Sequence, residues 1–226
     1  MKSNVLWLVA LAPSTLASLK NLCDTYGYYA NYTWYINNNE WGASSGTGSQ
    51  CTYVDSANTG GVSWHTDWTW SGGTNNVKSY PYSGRDLTVE LVSDISQISN
   101  SVQWSYTGTD IRADVAYDMF SAANKTHNTS SGDYELMIWL GRYGGVQPRG
   151  SAQSNVTIAG LSWEFWLDDS TDMTVYSFVA ASTQNSFSSD IKLFWNYVTQ
   201  NHNFPASTQY LISMYTASIR ICNDLN

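Results

Sequence analysis

The fold is decided by Ser130-Ser131-Gly132-Asp133-Tyr134-Glu135-Leu136-Met137-Ile138-Trp139-Leu140-Gly141, a run of β-favouring residues between a Ser/Gly turn and a glycine. Such a run predicts one buried β-strand. Because side chains alternate across a strand, Glu135, Met137 and Trp139 fall on one face and four apolar residues on the other. A carboxylate in so apolar a strand is costly unless it is paired or functional. Glu135 is therefore either a functional carboxylate or a solvated residue on the polar face of an amphipathic strand.

Residues 1–17 have the composition of a secretory signal peptide. Lys2 precedes an apolar run at 5–12, and small residues at 15–17 predict cleavage after Ala17. The apolar run is far shorter than the ~20 residues of a spanning helix. We therefore expect a secreted, extracellular protein with no membrane partner, in which residues 18–226 form a single domain.

Composition and charge narrow the class of protein. Aromatic residues make up 15% of the chain and charged residues 12%, a mixture that favours an all-β extracellular domain. The net charge of -8, with 10 Lys and Arg and no basic cluster, argues against nucleic acid as a partner. The sequence has no phosphate-binding loop, no Cys-x-x-Cys pair and no histidines at metal-ligand spacing. We expect no cofactor and no metal.

Three cysteines and four sequons fit an exported chain. Cys23 and Cys51 lie near the mature N-terminus and are expected to form a disulfide in an oxidising compartment. Cys222 is left over, so the protein is expected to be a monomer that can form disulfide dimers through this thiol. The Asn-x-Ser/Thr sequons predict glycosylation at Asn31, Asn124, Asn128 and Asn155.

Short alternating segments separated by turn signals predict the architecture. Segments of this kind lie at 32–36, 61–70, 87–92, 102–106, 111–120, 134–140, 156–158, 161–167 and 175–180. Their spacing predicts a β-sandwich or jelly roll. One α-helix is expected to begin at a Ser188 or Ser189 N-cap and to end near Asn201.

A second carboxylate is expected to join Glu135. In segment 111–120, Asp114, Asp118 and Phe120 share the face opposite to the apolar set. If this segment and the Glu135 strand form a hairpin, Asp118 faces Glu135 across the ladder at roughly 5 Å. Two carboxyl groups so close split their protonation, as acid and base groups of enzymes do. The alternative is a pair of acidic residues on a solvent-exposed face of the sheet, without a catalytic role.

Aromatic residues on the same face would favour the catalytic interpretation, because sugar rings stack on indoles. Trp41 and Trp139 are the candidates. By position alone, each is equally a core residue or a sugar platform.

Five segments carry a family resemblance. They are Asn38-Asn39-Glu40-Trp41-Gly42, Ser63-Trp64-His65-Thr66-Asp67-Trp68, Asn75-Asn76-Val77-Lys78-Ser79-Tyr80, Ala116-Tyr117-Asp118-Met119-Phe120 and Asp133-Tyr134-Glu135-Leu136-Met137-Ile138-Trp139-Leu140-Gly141. Together they resemble family 12 of the glycoside hydrolases, most closely its fungal secreted endo-β-1,4-glucanases and xyloglucan-specific endoglucanases. The resemblance covers nearly the whole mature chain up to about Ser213. It implies a β-jelly-roll sandwich of two curved antiparallel sheets, a concave cleft, and hydrolysis of β-1,4-glucan with retention.

The resemblance also implies roles for individual residues. Glu135 is the expected nucleophile, and Asp118 is the carboxylate that supports it. Trp41 is the expected sugar platform on the non-reducing side, while Met137 and Trp139 are expected to line the cleft beside the nucleophile.

The chain departs from the family near its C-terminus. Family members place the acid/base glutamate in a Gly-Thr-Glu-Pro-Phe type segment that follows a strand resembling residues 209–213. Here residues 215–219, which resemble the family's final strand, follow almost directly, so that a segment of somewhat under twenty residues is missing. Glu40, Glu90 and Glu164 lie in no matching context. Since a retaining glycosidase needs two carboxyl groups about 5 to 5.5 Å apart, we expect impaired activity.

Three functional hypotheses remain at this point. The first is an endo-acting hydrolase of cellulose, mixed-linkage glucan or xyloglucan, possessing the nucleophile but weakened by loss of the acid/base. The second is a non-catalytic paralogue that binds glucan or acts as a decoy for an active enzyme. The third is a lectin-like jelly roll, which the pairing of Asp118 with Glu135 disfavours because binding alone needs no such pair.

Overall fold

The computed structural model describes residues 18–221, with the backbone alone for 216–221. The predicted signal peptide and Cys222 therefore lie outside the described residues. In this range the strands are β1 Lys20–Leu22, β2 Tyr28–Asn31, β3 Trp34–Asn37, β4 Thr47–Asn58, β5 Gly61–Ser71, β6 Tyr82–Arg85, β7 Glu90–Leu91, β8 Ser99–Gln103, β9 Ala113–Ala122, β10 Tyr134–Arg142, β11 Ser151–Ile158, β12 Leu161–Asp168, β13 Thr174–Ala180, β14 Ser186–Asp190 and β15 Tyr210–Ile221. A 3₁₀ turn spans Ala43–Ser45, and helix α1 spans Lys192–Asn201. No helix among the described residues is long and apolar enough to cross a membrane.

The strands form a large inner sheet and a smaller outer layer. The inner sheet has ten strands in the order β11-β12-β13-β10-β9-β15-β6-β3-β2, with β7 paired to β15. The outer layer consists of a three-stranded sheet, β1-β4-β5, and a two-stranded sheet, β14-β8. This arrangement confirms the predicted jelly-roll sandwich. The pairing of β10 with β13 is parallel, which departs from the antiparallel pattern expected throughout.

One face of the inner sheet carries the hydrophobic core. Leu136 and Ile138 on β10 and Tyr117 on β9 are fully buried there, together with Phe194 and Trp195 of α1. The alternation predicted for both strands is therefore confirmed, with Glu135 and Asp118 on the opposite face. We call these two faces the core face and the cleft face.

Helix α1 begins later than the sequence predicted. Ser188 and Ser189, the expected N-caps, belong to β14 and pair with β8. The helix begins at Lys192, whose backbone N–H donates to the Asp190 side chain at 3.0 Å. The end of the helix at Asn201 is as predicted.

The predicted covalent link is present, and the predicted glycosylation sites are accessible. Cys23 and Cys51 form a disulfide with 4.3 Å between their Cα atoms, which ties the chain after β1 to β4. The four sequon asparagines all have exposed side chains: Asn31, Asn124, Asn128 and Asn155.

Candidate active site

The register of the β9–β10 hairpin corrects one prediction. Asp118 lies directly opposite Met137, and Glu135 lies opposite Phe120. The two carboxylates are therefore diagonal neighbours and not a facing pair. The alternation of side chains along a strand fixes the face that each side chain takes. It does not fix the pairing register, because sliding one strand by two residues leaves every side chain on the same face. The register depends instead on the hairpin loop, where the backbone N–H of Asp133 donates to the Ser121 carbonyl at 2.9 Å.

The diagonal arrangement still brings the two carboxyl groups into contact. The Asp118 side chain is 6% exposed and hydrogen-bonded to Glu135. Burial, above all, raises the pKa of Asp118 well above its ordinary value, and the charge and hydrogen bond of Glu135 and the charge of Asp114 raise it further. Asp118 therefore holds the shared proton and donates it in the hydrogen bond to Glu135. Glu135 is half-buried on the cleft face, beside the protonated carboxyl group of Asp118.

The strand pairing places an unpredicted tryptophan in line with these groups. Met137 pairs with Ser177 on β13, and Ser177 pairs with Trp166 on β12. Because paired residues share a face, Trp166 lies on the cleft face in the same row as Met137 and Asp118. Its side chain is half-buried and packs against the Met137 and Trp139 cluster. Alternation in segment 161–167 indicates which face of its strand carries Trp166. Nothing in the local sequence indicates that β12 brings Trp166 into the row of Met137 and Asp118.

A row of tyrosines extends the cleft face on the other side of Asp118. Tyr215 on β15 pairs with Asp118, and its ring stacks on Tyr82 with 4.1 Å between centroids. Tyr82 in turn meets the edge of Tyr35 at 6.2 Å. The Tyr215 hydroxyl donates to the Thr129 carbonyl at 2.8 Å. Burial raises the pKa of all three tyrosines, so that they remain neutral.

Met137 and Trp139 lie on the cleft face as predicted, but both side chains are buried. Met137 is 7% exposed and Trp139 is 1% exposed. The Trp139 indole N–H donates to the Met137 sulfur at 3.5 Å. Val77 and Tyr80 pack on this cluster. Both residues therefore belong to the floor of the cleft next to Asp118.

Trp41 lies in the turn after β3 and is 55% exposed. The Asn39 side-chain amide donates to the Tyr80 carbonyl, and the Tyr80 N–H donates back to the Asn39 carbonyl, both at 3.0 Å. A Cβ at Gly42 would lie 2.0 Å from the Val77 carbonyl oxygen, so only glycine permits this close approach. Trp41 is thus fixed beside the same segment that covers Trp139.

The remaining glutamates do not lie beside Glu135. Glu164 is on the cleft face, but it pairs with Val179 in the row of Trp139 and is bound by two Arg142 hydrogen bonds of 3.1 Å. Two strand spacings and four residues along a strand separate it from Glu135, roughly 16 Å between Cα atoms. Glu40 lies in the turn beside Trp41, and Glu90 is exposed on β7.

One aspartate that the sequence did not single out shares the row of Glu135. Asp168 pairs with Val175, and Val175 pairs with Glu135, so that two strand spacings, roughly 10 Å, separate the two acidic residues. Hydrogen bonds from Ser170, with the nearby Arg149, lower the pKa of Asp168. An Arg149 amino group lies 3.0 Å from the Asp168 carboxylate. Asp168 is therefore ionised and held by a cation.

Two carboxyl groups in contact, on a sheet face lined with tryptophan and tyrosine, are groups of the kind that carbohydrate-processing enzymes use. The chain belongs to Glycosyl hydrolase family 12, whose family model matches residues 32–218. The resemblance stated from the sequence is thereby confirmed.

Relatives of known name support the same assignment. The chain is 53% identical over 199 residues to Endoglucanase A of Aspergillus kawachii, covering 86% of this chain and 83% of that protein. It is 40% identical over 216 residues to the xyloglucan-specific endo-beta-1,4-glucanase A of Emericella nidulans, covering 93% and 89%.

Solved structures of the family have the same fold. Trichoderma harzianum endoglucanase 3 matches with a TM-score of 0.85 and 45% identity, covering 89% of this chain and 94% of that one. The catalytic domain of Humicola grisea Cel12A, solved with a soaked thio cellotetraose, matches with a TM-score of 0.88 and 44% identity, covering 92% and 93%.

Proposed function

We propose that this chain is a secreted, endo-acting hydrolase of β-1,4-glucan that works with retention and uses Glu135 as its nucleophile. The observation that carries the proposal is the hydrogen bond between a protonated, buried Asp118 and a cleft-facing Glu135. The names of the relatives, endoglucanase and xyloglucan-specific endo-beta-1,4-glucanase, support β-1,4-glucan as the substrate class. The disulfide and the exposed sequons support export.

In the proposed reaction Glu135 attacks the anomeric carbon and forms a covalent glycosyl-enzyme, while the bond to the leaving oxygen breaks. Asp118 orients Glu135 through its hydrogen bond and keeps one negative charge on the pair. Trp41 stacks on a sugar on the non-reducing side. Met137 and Trp139 form the floor, and Trp166 offers a further stacking surface in the same row.

We further propose that the acid/base position is unfilled. Strand β15 runs without a loop through Ser213 and Met214, where the family resemblance places an additional segment. Tyr215, and not a glutamate, lies beside Asp118. A neutral phenol with a raised pKa is a poor proton donor to a leaving glycosidic oxygen. Loss of general acid catalysis costs about 10²- to 10⁴-fold in rate, so unactivated β-glucan should be hydrolysed slowly.

The proposal is tested with an aryl β-cellobioside whose phenol is acidic enough to leave without protonation. A burst of phenol followed by slow turnover, with the glycosyl-enzyme mass on the Glu135 peptide, is the expected result. Azide needs no general base, so it should attack the intermediate, restore turnover and release a β-glycosyl azide. Rapid hydrolysis of unactivated glucan without any response to azide would show that another carboxyl group, with Asp168 the first to test, serves as acid/base.

A non-catalytic glucan-binding role is the second candidate, favoured by Tyr215 in place of a carboxylic acid. It predicts oligosaccharide binding with neither a phenol burst nor a labelled Glu135. The mass measurement above therefore separates the two functions.

A further inference from the structure

An ion pair lies on the cleft face, outside the groups used in the proposed reaction. Two Arg142 amino groups donate to the two carboxylate oxygens of Glu164, both at 3.1 Å. Arg142 pairs with Asp114 in the β9–β10 ladder, so its side chain lies on the same face as Asp114 and Asp118. The Arg142 and Glu164 side chains are 27% and 36% exposed. The pair therefore has a fixed, bidentate geometry and remains open to a ligand in the cleft.

The ion pair lies to one side of the catalytic groups. Glu164 is in the row of Trp139. The neighbouring row, roughly 7 Å away along the strands, contains Trp166 and Asp118. Trp139 is 1% exposed and covered by Tyr80, so the backbone of a glucan cannot lie along its row at β10. A glucan backbone must instead follow the row of Asp118 and Trp166, with the ion pair beside it.

Contacts with two further side chains fix the position of the ion pair. The Trp166 indole N–H donates to Glu164 at 3.4 Å, and an Arg142 amino group donates to the Gln147 side-chain oxygen at 3.3 Å. Val146, next to Gln147 in the loop after β10, is 3% exposed and packs in the hydrophobic cluster of the cleft floor. The ion pair therefore has a defined place relative to Trp166.

The polar groups of the ion pair match the hydroxyl groups of a sugar. A guanidinium carries more N–H donors than the three hydrogen bonds that Arg142 makes to Glu164 and Gln147. The Glu164 oxygens have lone pairs beyond those used by Arg142 and Trp166. The pair thus presents donors and acceptors side by side, as neighbouring hydroxyl groups of one sugar ring require.

Strand order places the ion pair on the reducing side of the substrate. Trp41, the proposed platform on the non-reducing side, follows β3, which lies on the β9 side of Glu135. Strands β13 and β12, with Trp166 and Glu164, lie on the other side of β10. Successive glucose units of a β-1,4 chain are related by half a turn, so their C6 groups project alternately to the two sides of the chain. A glucose on Trp166 whose C6 faces Glu164 directs an O6-linked branch onto the ion pair.

We propose, on the basis of the proposed β-1,4-glucan hydrolase function, that Arg142 and Glu164 form a subsite for a branch sugar on O6 of a reducing-side glucose. Gln147 contributes a third polar group. An unbranched chain ends at its C6 hydroxyl and does not span the roughly 7 Å between the two rows, whereas a further sugar ring does. The subsite therefore favours an O6-substituted β-1,4-glucan, of which xyloglucan is an example, over an unbranched one.

The test compares a branched with an unbranched ligand in a Glu135→Gln background, where neither is hydrolysed. The ligands are a xyloglucan oligosaccharide of two repeat units and cellotetraose, and calorimetry gives both Kd values. Arg142→Met should weaken binding of the xyloglucan oligosaccharide about three- to tenfold, because charge-assisted hydrogen bonds to the branch are lost. It should change the Kd of cellotetraose by less than about twofold. Arg142→Lys keeps the charge without the planar fork and should recover only part of the affinity.

A matched control and two contrary outcomes complete the test. Lys20→Met removes one cation from outer strand β1 and should leave both Kd values unchanged. Equal weakening of both ligands by Arg142→Met would overturn the proposal, because the ion pair would then act only by holding Trp166. Unchanged binding of both ligands would also overturn it. Absence of a glycosyl-enzyme in the parent protein would count against the proposed hydrolysis alone, since the ratio of the two Kd values requires no catalysis.

Discussion

Asp118 lies opposite Met137 in the β9–β10 ladder and reaches Glu135 on the diagonal, where its carboxyl group donates a hydrogen bond. This relationship gives the two acids different roles. Glu135→Gln should reduce phenol release from an aryl β-cellobioside by at least about 10³-fold, because an amide cannot form the glycosyl-enzyme. Asp118→Asn should reduce it less, since the amide still donates to Glu135. Residual activity that is indifferent to Glu135→Gln would place the chemistry elsewhere.

The same hydrogen bond predicts a pH dependence of stability. Because the pKa of Asp118 is raised above its ordinary value of 3.8, the folded state keeps a proton that the unfolded state releases. That contribution to the free energy of unfolding is present below about pH 3.8 and is lost as the pH rises through the folded-state pKa. Asp118→Asn lacks the titration, so it should gain stability relative to the parent protein from about pH 4 upward. Urea unfolding of both proteins from pH 3 to 8 measures the difference, and parallel curves would contradict it.

The disulfide should contribute substantially to stability. Cys23 and Cys51 are 28 residues apart, and closing a loop of this length removes about 3.5 kcal/mol of denatured-state entropy. The double variant Cys23→Ser, Cys51→Ser should therefore unfold at a lower urea concentration, with a steeper slope because the unfolded chain without the cross-link exposes more surface. Cys222→Ser is the matched control and should leave the midpoint in place. Cys222→Ser should also remove any dimer band that is seen on a non-reducing gel and disappears when reductant is added.

Much of the fold followed from local pattern. Alternation predicted which faces of β9 and β10 carry the carboxylates. The disulfide followed from cysteine position. These features depend on residues near one another in sequence, where periodicity carries the information.

The rest depended on pairing between distant strands. Ser189 reads as a helix cap, yet its backbone pairs with Asn100 of β8 and the helix begins beyond it. Trp166 reaches the cleft row only because β13 pairs in parallel with β10 and carries β12 beside it. Local propensity contains none of this information.

Trp166 should be a sugar-stacking residue in the row of Met137 and Asp118. Measuring cellotetraose affinity by calorimetry in a Glu135→Gln background separates binding from catalysis. Trp166→Ala should weaken binding about two- to tenfold, because one aromatic stacking contact is worth about 0.5 to 1.5 kcal/mol.

The indole N–H also lies 3.4 Å from Glu164, so removal of the side chain changes two contacts. Trp166→Phe loses the N–H and keeps a ring, and it should retain most of the affinity. Leu193→Ala removes an exposed apolar side chain of helix α1, which packs on the core face, and should have no effect. If Trp166→Phe proved as weak as Trp166→Ala, the indole N–H and not ring stacking would be the important contact.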